Sequence, residues 1–229
     1  MNTFKNWSKS SYYIYSIGAI ILTILSLTTS AITVYSVLSL IGALFGFLSV
    51  VLIVNKNRSA GYVGMVSAII YMFVSWSLGN YSDTLLNILF IVFLNLPLIL
   101  NKKYSDKVES TSIRGNKDIK EILVLLFISI YLSLFTIEVL IFNAPRPIFS
   151  VLAATLGIVA SISTSFFVLK ESFVIWGAQN IFQVILWGIT LYQTGSGVAL
   201  LMMVTYIMYT INASTAFFNG KWFAKPKKV

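Results

Sequence analysis

The sequence predicts an all-α, polytopic membrane protein with eight transmembrane helices. They are laid out as one helix, a three-helix unit, a linker helix and a second three-helix unit, the two units being parallel repeats. Three observations carry this reading: charges are almost entirely excluded from eight long apolar runs, basic residues gather on one side, and a stripe of small residues occurs twice. Of the 229 residues, 58% are hydrophobic and 10% are charged, and the mean hydropathy is +0.88, well outside the composition of soluble domains.

The apolar runs are 12–28, 34–54, 62–78, 84–100, 122–142, 148–169, 173–191 and 198–218. Each has about 17–22 residues, enough for a helix to cross a hydrocarbon core of roughly 30 Å. A charge at a helix centre costs about 2.5–3.5 kcal/mol on insertion scales, so its exclusion from the runs is a strong signal. Lys5, Lys9 and the first run resemble the start of a signal peptide. The run is long, however, and the next begins almost at once, so we read it as a retained anchor.

The basic residues set the direction. With the N-terminus inside, the inner segments hold Lys5 and Lys9, Lys56 and Arg58, Lys102, Lys103, Lys107, Arg114, Lys117 and Lys120, Lys170, and Lys221, Lys225, Lys227 and Lys228. Arg146 alone is then outside, as the positive-inside rule requires. Adding or removing one span would scatter these residues onto both sides, so both termini are expected in the cytoplasm. The net charge of +9 lies in short segments beside helix ends, where it meets the anionic inner leaflet of the lipid bilayer. It forms no basic patch of the kind that binds nucleic acid. Cysteine and histidine are absent, which excludes disulfides and Cys-ligated metals, and no cofactor is predicted.

Taken in order, residues 1–33 form an N-terminal segment and extra helix, and 34–100 the first three-helix unit. Residues 101–147 hold a cytoplasmic loop and linker helix, 148–218 the second unit, and 219–229 a basic tail. The repeat is visible at an offset of 111: Ser39, Gly42, Ala43, Gly46 and Ser49 fall on Ser150, Ala153, Ala154, Gly157 and Ala160. These positions make one helical stripe, and small stripes let helix backbones approach closely in lipid. Corresponding helices are four spans apart and so run the same way through the membrane, as in a repeat about the membrane normal.

Polar residues within the spans locate the chemistry. In the seventh run Trp176, Gln179, Asn180, Gln183 and Trp187 recur at i, i+3, i+4, i+7 and i+11, one helix face. Three amides in hydrocarbon need partners, which neighbouring helices can supply. Two tryptophans bracketing them favour a ligand wall of flat aromatics and hydrogen-bonding carboxamides. Ser67 and Tyr71 occupy the matching stripe of the third run beside small Gly64 and Ala68. That asymmetry predicts a site formed mostly by the second unit and opposed by a hollow in the first. Asn87 and Asn95 on the fourth run, and Thr205, Tyr209 and Asn212 on the eighth, are further candidates. Pro97, near the inner end of the fourth run, removes a backbone donor and can kink the helix, though a simple proline near a helix end is the commoner case. Glu138 is read as the one acid within a span, near the outer end and away from the site.

The stretch Trp176-x-x-Gln179-Asn180-x-x-Gln183-x-x-x-Trp187, with Tyr71 and Tyr81-Ser82-Asp83…Asn87, resembles the bacterial nicotinamide riboside transporters of the PnuC family. The resemblance covers residues 34–218. It implies a fold similar to the sugar-transporting SWEET proteins, a homotrimer in the bacterial cytoplasmic membrane, and a ligand held by Trp176, Gln179, Asn180 and Gln183, with Asn87 and Asn212 in support. It also implies net uptake maintained by a cytosolic kinase that phosphorylates the nucleoside. Related members carry thiamine, riboflavin or deoxynucleosides.

The chemistry of the face suits such a substrate. A desolvated cation over an aromatic ring gains about 2 kcal/mol, and amides pair with a carboxamide and hydroxyls. Thiamine, also a flat cation, fits the same argument. The shortage of intramembrane acids and histidines argues against a proton relay, and no nucleotide motif for ATP-driven transport is present. Facilitated diffusion by alternating access is therefore expected. A membrane enzyme is disfavoured because no acid–base pair or metal site is apparent. A substrate-capture subunit of an ATP-driven importer fits poorly with eight spans and a parallel repeat.

Overall fold

The computed structural model describes residues 7–101, 110–114, 116–144, 146–218 and 222–223. The terminal segments, with Lys5, Lys221, Lys225, Lys227 and Lys228, and the loop residues Lys102, Lys103 and Lys107 lie outside the described residues, as does the sidedness read from them.

Among the described residues eight helices are long and apolar enough to cross a membrane. They are α1 (Lys9–Thr29), α2 (Val34–Val54), α3 (Ser59–Ser77), α4 (Tyr81–Leu100), α5 (Lys117–Leu140), α6 (Pro147–Ser165), α7 (Ser172–Thr194) and α8 (Gly197–Phe218). No strand occurs among the described residues; a single bridge joins Thr111 and Leu169. Local sequence explains the ends. Ser8 caps α1, Thr33 and Ser36 form a reciprocal capping box at α2, and Asn116 caps α5, each satisfying amides that the first turn leaves unpaired. Pro147 opens α6, where its missing N–H is not needed. Gly195 closes α7 in the left-handed region at φ 62°.

Two expectations about α4 need correction. The helix starts at Tyr81, before the apolar run at 84, because Asn80 and Glu138 stabilise its first turn. Asp83 is thereby inside the helix and fully buried, so Glu138 is not the only acid within a span. Nor is Pro97 a simple proline near a helix end: a π-helical turn over Ile91–Asn95 precedes it, between α-helical Tyr81–Phe90 and Leu96–Leu100. Pro97 lacks the N–H that would meet the Phe93 carbonyl, and the Ser165 hydroxyl of α6 donates to that oxygen instead.

Helix α2 packs on α3 and α3 on α4, while α6 packs on α7 and α7 on α8. Between helices more distant in the chain, α2 meets α8 and α4 meets α6. Helix α1 lies against α2 and α8, and α5 lies against α6 and, more lightly, α4. Both small-residue stripes are buried. On α2 the stripe lets the Ser67 hydroxyl reach the Gly42 carbonyl at 2.8 Å. On α3 Gly61 faces the backbone of the π turn: a Cβ there would lie 2.5 Å from the Asn95 carbonyl oxygen.

Polar contacts tie together segments distant in the chain at one end of the bundle. Arg146 Nε donates to Asn80 Oδ1 at 3.2 Å and its Nη2 to the Leu78 carbonyl at 2.9 Å, and Nη1 donates to Gln193 Oε1. Glu138 Oε1 accepts from the Ser82 amide at 2.6 Å and from Ser150 Oγ at 2.7 Å, an anion at the start of α4. At the other end buried Trp222 donates from Nε1 to the Ile53 carbonyl at 3.2 Å and meets Phe173 edge-on at 5.0 Å. The Lys56 ammonium sits 4.8 Å from the Trp222 ring centre. Glu171, between α6 and α7, accepts from Ser112 Oγ at 2.6 Å and the Ile113 amide at 3.2 Å. Burial alone would raise its carboxyl, but these bonds and nearby Lys170 hold it below the usual range.

Gly61→Ala should cost about 1–3 kcal/mol, the usual range for overpacking, because backbone rather than a side-chain tip must give way; thermal melts in detergent check this. The Glu171 clasp stabilises above the unfolded carboxyl value of about 4.3 and is lost as pH falls through the lower folded value. Protection of the Ile113 amide, measured against its intrinsic exchange rate at each pH, should therefore be lost below about pH 4 and kept at neutral pH.

Candidate functional site

Five helices surround an internal cavity with about 80 Å³ of space open to the centre of a water molecule. Each gives four residues: Gly46, Ser49, Val50 and Ile53 from α2; Gly64, Ser67, Ala68 and Tyr71 from α3; Asn87, Phe90, Leu94 and Asn95 from α4; Phe173, Trp176, Gln179 and Asn180 from α7; Tyr206, Tyr209, Asn212 and Ala213 from α8. The α4 contribution includes the π turn, whose extra residue turns Leu94 and Asn95 toward the site. The hollow in α2 and α3 follows from their small residues: Ser67 and Ala68 present little bulk, and Gly46 leaves room for the Tyr209 hydroxyl.

The opposing wall is aromatic and amidic. Trp176 is held by an Nε1 bond to Thr164 Oγ1 at 3.0 Å and lies 5.6 Å from the Phe90 ring. Tyr206 and Tyr209 meet edge to face at 5.2 Å, and Tyr209 stacks on Phe47 at 6.3 Å. Asn87 donates to the Asp83 carbonyl at 2.7 Å. Gln179 Nε2, Asn180 Oδ1 and Asn212 Oδ1 are buried without a partner in the protein. An unpaired buried group costs about 1–3 kcal/mol, so one donor and two acceptors on the same cavity describe a ligand with complementary groups. No charged side chain lines the wall, and no cluster of three or more acids occurs among the described residues.

A protein-family comparison matches residues 36–224 to the nicotinamide mononucleotide transporter family. The chain belongs to this family. It is therefore a multi-pass membrane protein of the PnuC type, in a family of transporters rather than enzymes. Among solved structures it is similar to the crystal structure of the vitamin B3 transporter PnuC, with a TM-score of 0.73 and 17% identity over 93% of this chain and 91% of that one. The likeness shows that the two share a fold. No curated protein matches the chain.

Eight of the ten residues singled out from the sequence line the cavity: Ser67, Tyr71, Asn87, Trp176, Gln179, Asn180, Tyr209 and Asn212. Gln183 and Trp187 do not. At about 1.5 Å per residue they lie roughly 10 and 16 Å along α7 from Trp176, beyond the cavity. Gln183 Nε2 donates to Asp83 Oδ1 at 2.5 Å. Trp187 is fully buried in the apolar cluster with Val74, Val198 and Met202, so it neither brackets the amides nor marks an interface. The site is not lined mostly from residues 148–218, since α2, α3 and α4 supply three of its five helices. Thr205 also misses the wall and donates to the Leu201 carbonyl. Tyr206, Phe90 and Phe173 escaped the sequence reading because a cavity-facing aromatic has no pattern that distinguishes it from a lipid-facing one.

Gln179→Ala should weaken ligand binding about tenfold or more at little cost in stability, the loss of one good hydrogen bond. Trp187→Ala should lower stability by about 3–5 kcal/mol. Paired calorimetry and melts on the two variants separate a wall residue from a packing residue.

Proposed function

We propose that this chain carries nicotinamide riboside, the form without the phosphate, by facilitated diffusion through alternating access. The observation that supports this most is a cavity wall with aromatic faces and three unpartnered amide atoms but no cationic side chain. A mononucleotide would bring a phosphate, which proteins hold with Arg, Lys or exposed helix N-termini. The riboside brings a flat cation for Trp176 and the tyrosines, with a carboxamide and hydroxyls for Gln179, Asn180 and Asn212. Thiamine offers a similar ring and charge and is the alternative substrate; riboflavin and deoxynucleosides lack the charge.

The packing supports two parallel units that rock against each other, in a SWEET-like arrangement. The pair α2–α8 mirrors α6–α4, and peripheral α1 occupies beside α2 and α8 the place that α5 occupies beside α6 and α4. The first helix is then the counterpart of the linker helix. Rocking would release the Arg146 clamp on one side and the Trp222 contacts on the other. Asp83 and Glu138 each hold hydrogen-bond donors and neither lines the cavity, which favours uncoupled movement over a proton relay. Net uptake would follow from phosphorylation by a cytosolic kinase. The setting is a bacterial cytoplasmic membrane, with both termini inside and the chain assembled as a homotrimer.

Purified protein in liposomes should exchange labelled nicotinamide riboside down its gradient, at the same rate with and without a pH or sodium gradient. Unlabelled riboside should compete, and the mononucleotide should not. Accumulation driven by either gradient would refute uncoupled movement. Stronger competition by thiamine or the mononucleotide would refute the substrate.

A further inference from the structure

We propose that Asp83 is the specificity-determining counter-charge for the ligand, selecting a cation from behind the cavity wall. This rests on reading the cavity as a nicotinamide riboside site. Asp83 lies in the first turn of α4 and is 0% exposed. Its Oδ2 accepts from Ser75 Oγ on α3 at 2.5 Å and its Oδ1 from Gln183 Nε2 on α7 at 2.5 Å. Both donors are neutral, and the only salt bridge among the described residues joins Lys117 and Glu121, on the surface. Of the charged groups nearby, Glu138 adds negative charge. Arg146 spends its three donating nitrogens on Leu78, Asn80 and Gln193.

A carboxylate in hydrocarbon without a cation is costly and usually functional. A neutral Asn could bridge Ser75 and Gln183 as well, so bridging alone does not call for an acid. The partners of Asp83 lead to the wall: Ser75 is one turn from Tyr71, Gln183 one turn from Gln179, and Asn87 one turn from Asp83 itself. Asn87 itself lines the cavity while donating to the Asp83 carbonyl at 2.7 Å, and the wall brings no positive charge. The missing counter-charge is the ligand's own. In such a site the field is weakly screened, and a unit charge one residue removed is worth about tenfold or more in affinity.

Nicotinamide riboside and its reduced dihydro form have nearly the same shape and hydrogen-bonding groups, but only the first is a cation. Calorimetry of both with the wild-type protein and with Asp83→Asn tests the assignment. Wild type should prefer the cation by about tenfold or more, and Asp83→Asn should bind the two forms about equally, with affinity for the neutral form kept. A wild-type protein that binds both forms equally overturns the counter-charge while leaving the substrate reading intact, and this result does not depend on the variant folding. An Asp83→Asn protein that keeps the preference, or loses both ligands equally, overturns it too. Binding of neither form by wild type defeats the substrate reading and this inference with it.

Discussion

In a hydrocarbon surrounding, each buried polar atom must find its partner inside the protein, and this constraint runs through the whole structure. Helices satisfy their own backbones, so the informative places are those where they cannot. Pro97 leaves the Phe93 carbonyl without its helical donor, and Ser165 from α6 supplies one. The start of α4 leaves amides unpaired, and Glu138 from α5 meets one of them. In both cases a defect in one helix becomes a bond to another helix. Among the atoms where the demand is unmet, those of Gln179, Asn180 and Asn212 converge on one cavity, which makes it a place for a ligand.

Close packing makes that cavity possible. Small residues on α2 and α3 bring backbones together and, where the stripe faces inward at Gly46, Gly64, Ser67 and Ala68, leave a hollow. The large side chains of α7 and α8 stand across it. The π turn widens α4 at the level where these faces meet. Tight contact and empty space thus come from one residue class, separated only by which side of the helix it occupies.

Much of the architecture was legible because membrane insertion imposes strong, local rules. Span length and charge exclusion follow from hydrocarbon thickness and desolvation cost, which act on each segment separately. Trp176, Gln179 and Asn180 could be read for the same reason: amides on an apolar helix are conspicuous. Asp83 was harder, since it stands three residues before the apolar run and reads as loop until the capping of α4 extends the helix over it. Trp187 was misread because helical periodicity places a residue on a face without saying how far along the helix the neighbours leave a gap.

By itself the sequence determined that the chain is a helical membrane protein of eight spans, which residues lie on which face, and that the seventh helix carries a face of amides. Those properties depend on single segments and on the solvent around them. Only the tertiary structure decided that five helices share the cavity equally, that Gln183 serves Asp83 rather than the wall, and that Arg146 and Glu138 join distant segments at one end. Each of these depends on distances between helices far apart in the chain, which packing sets and no periodicity encodes.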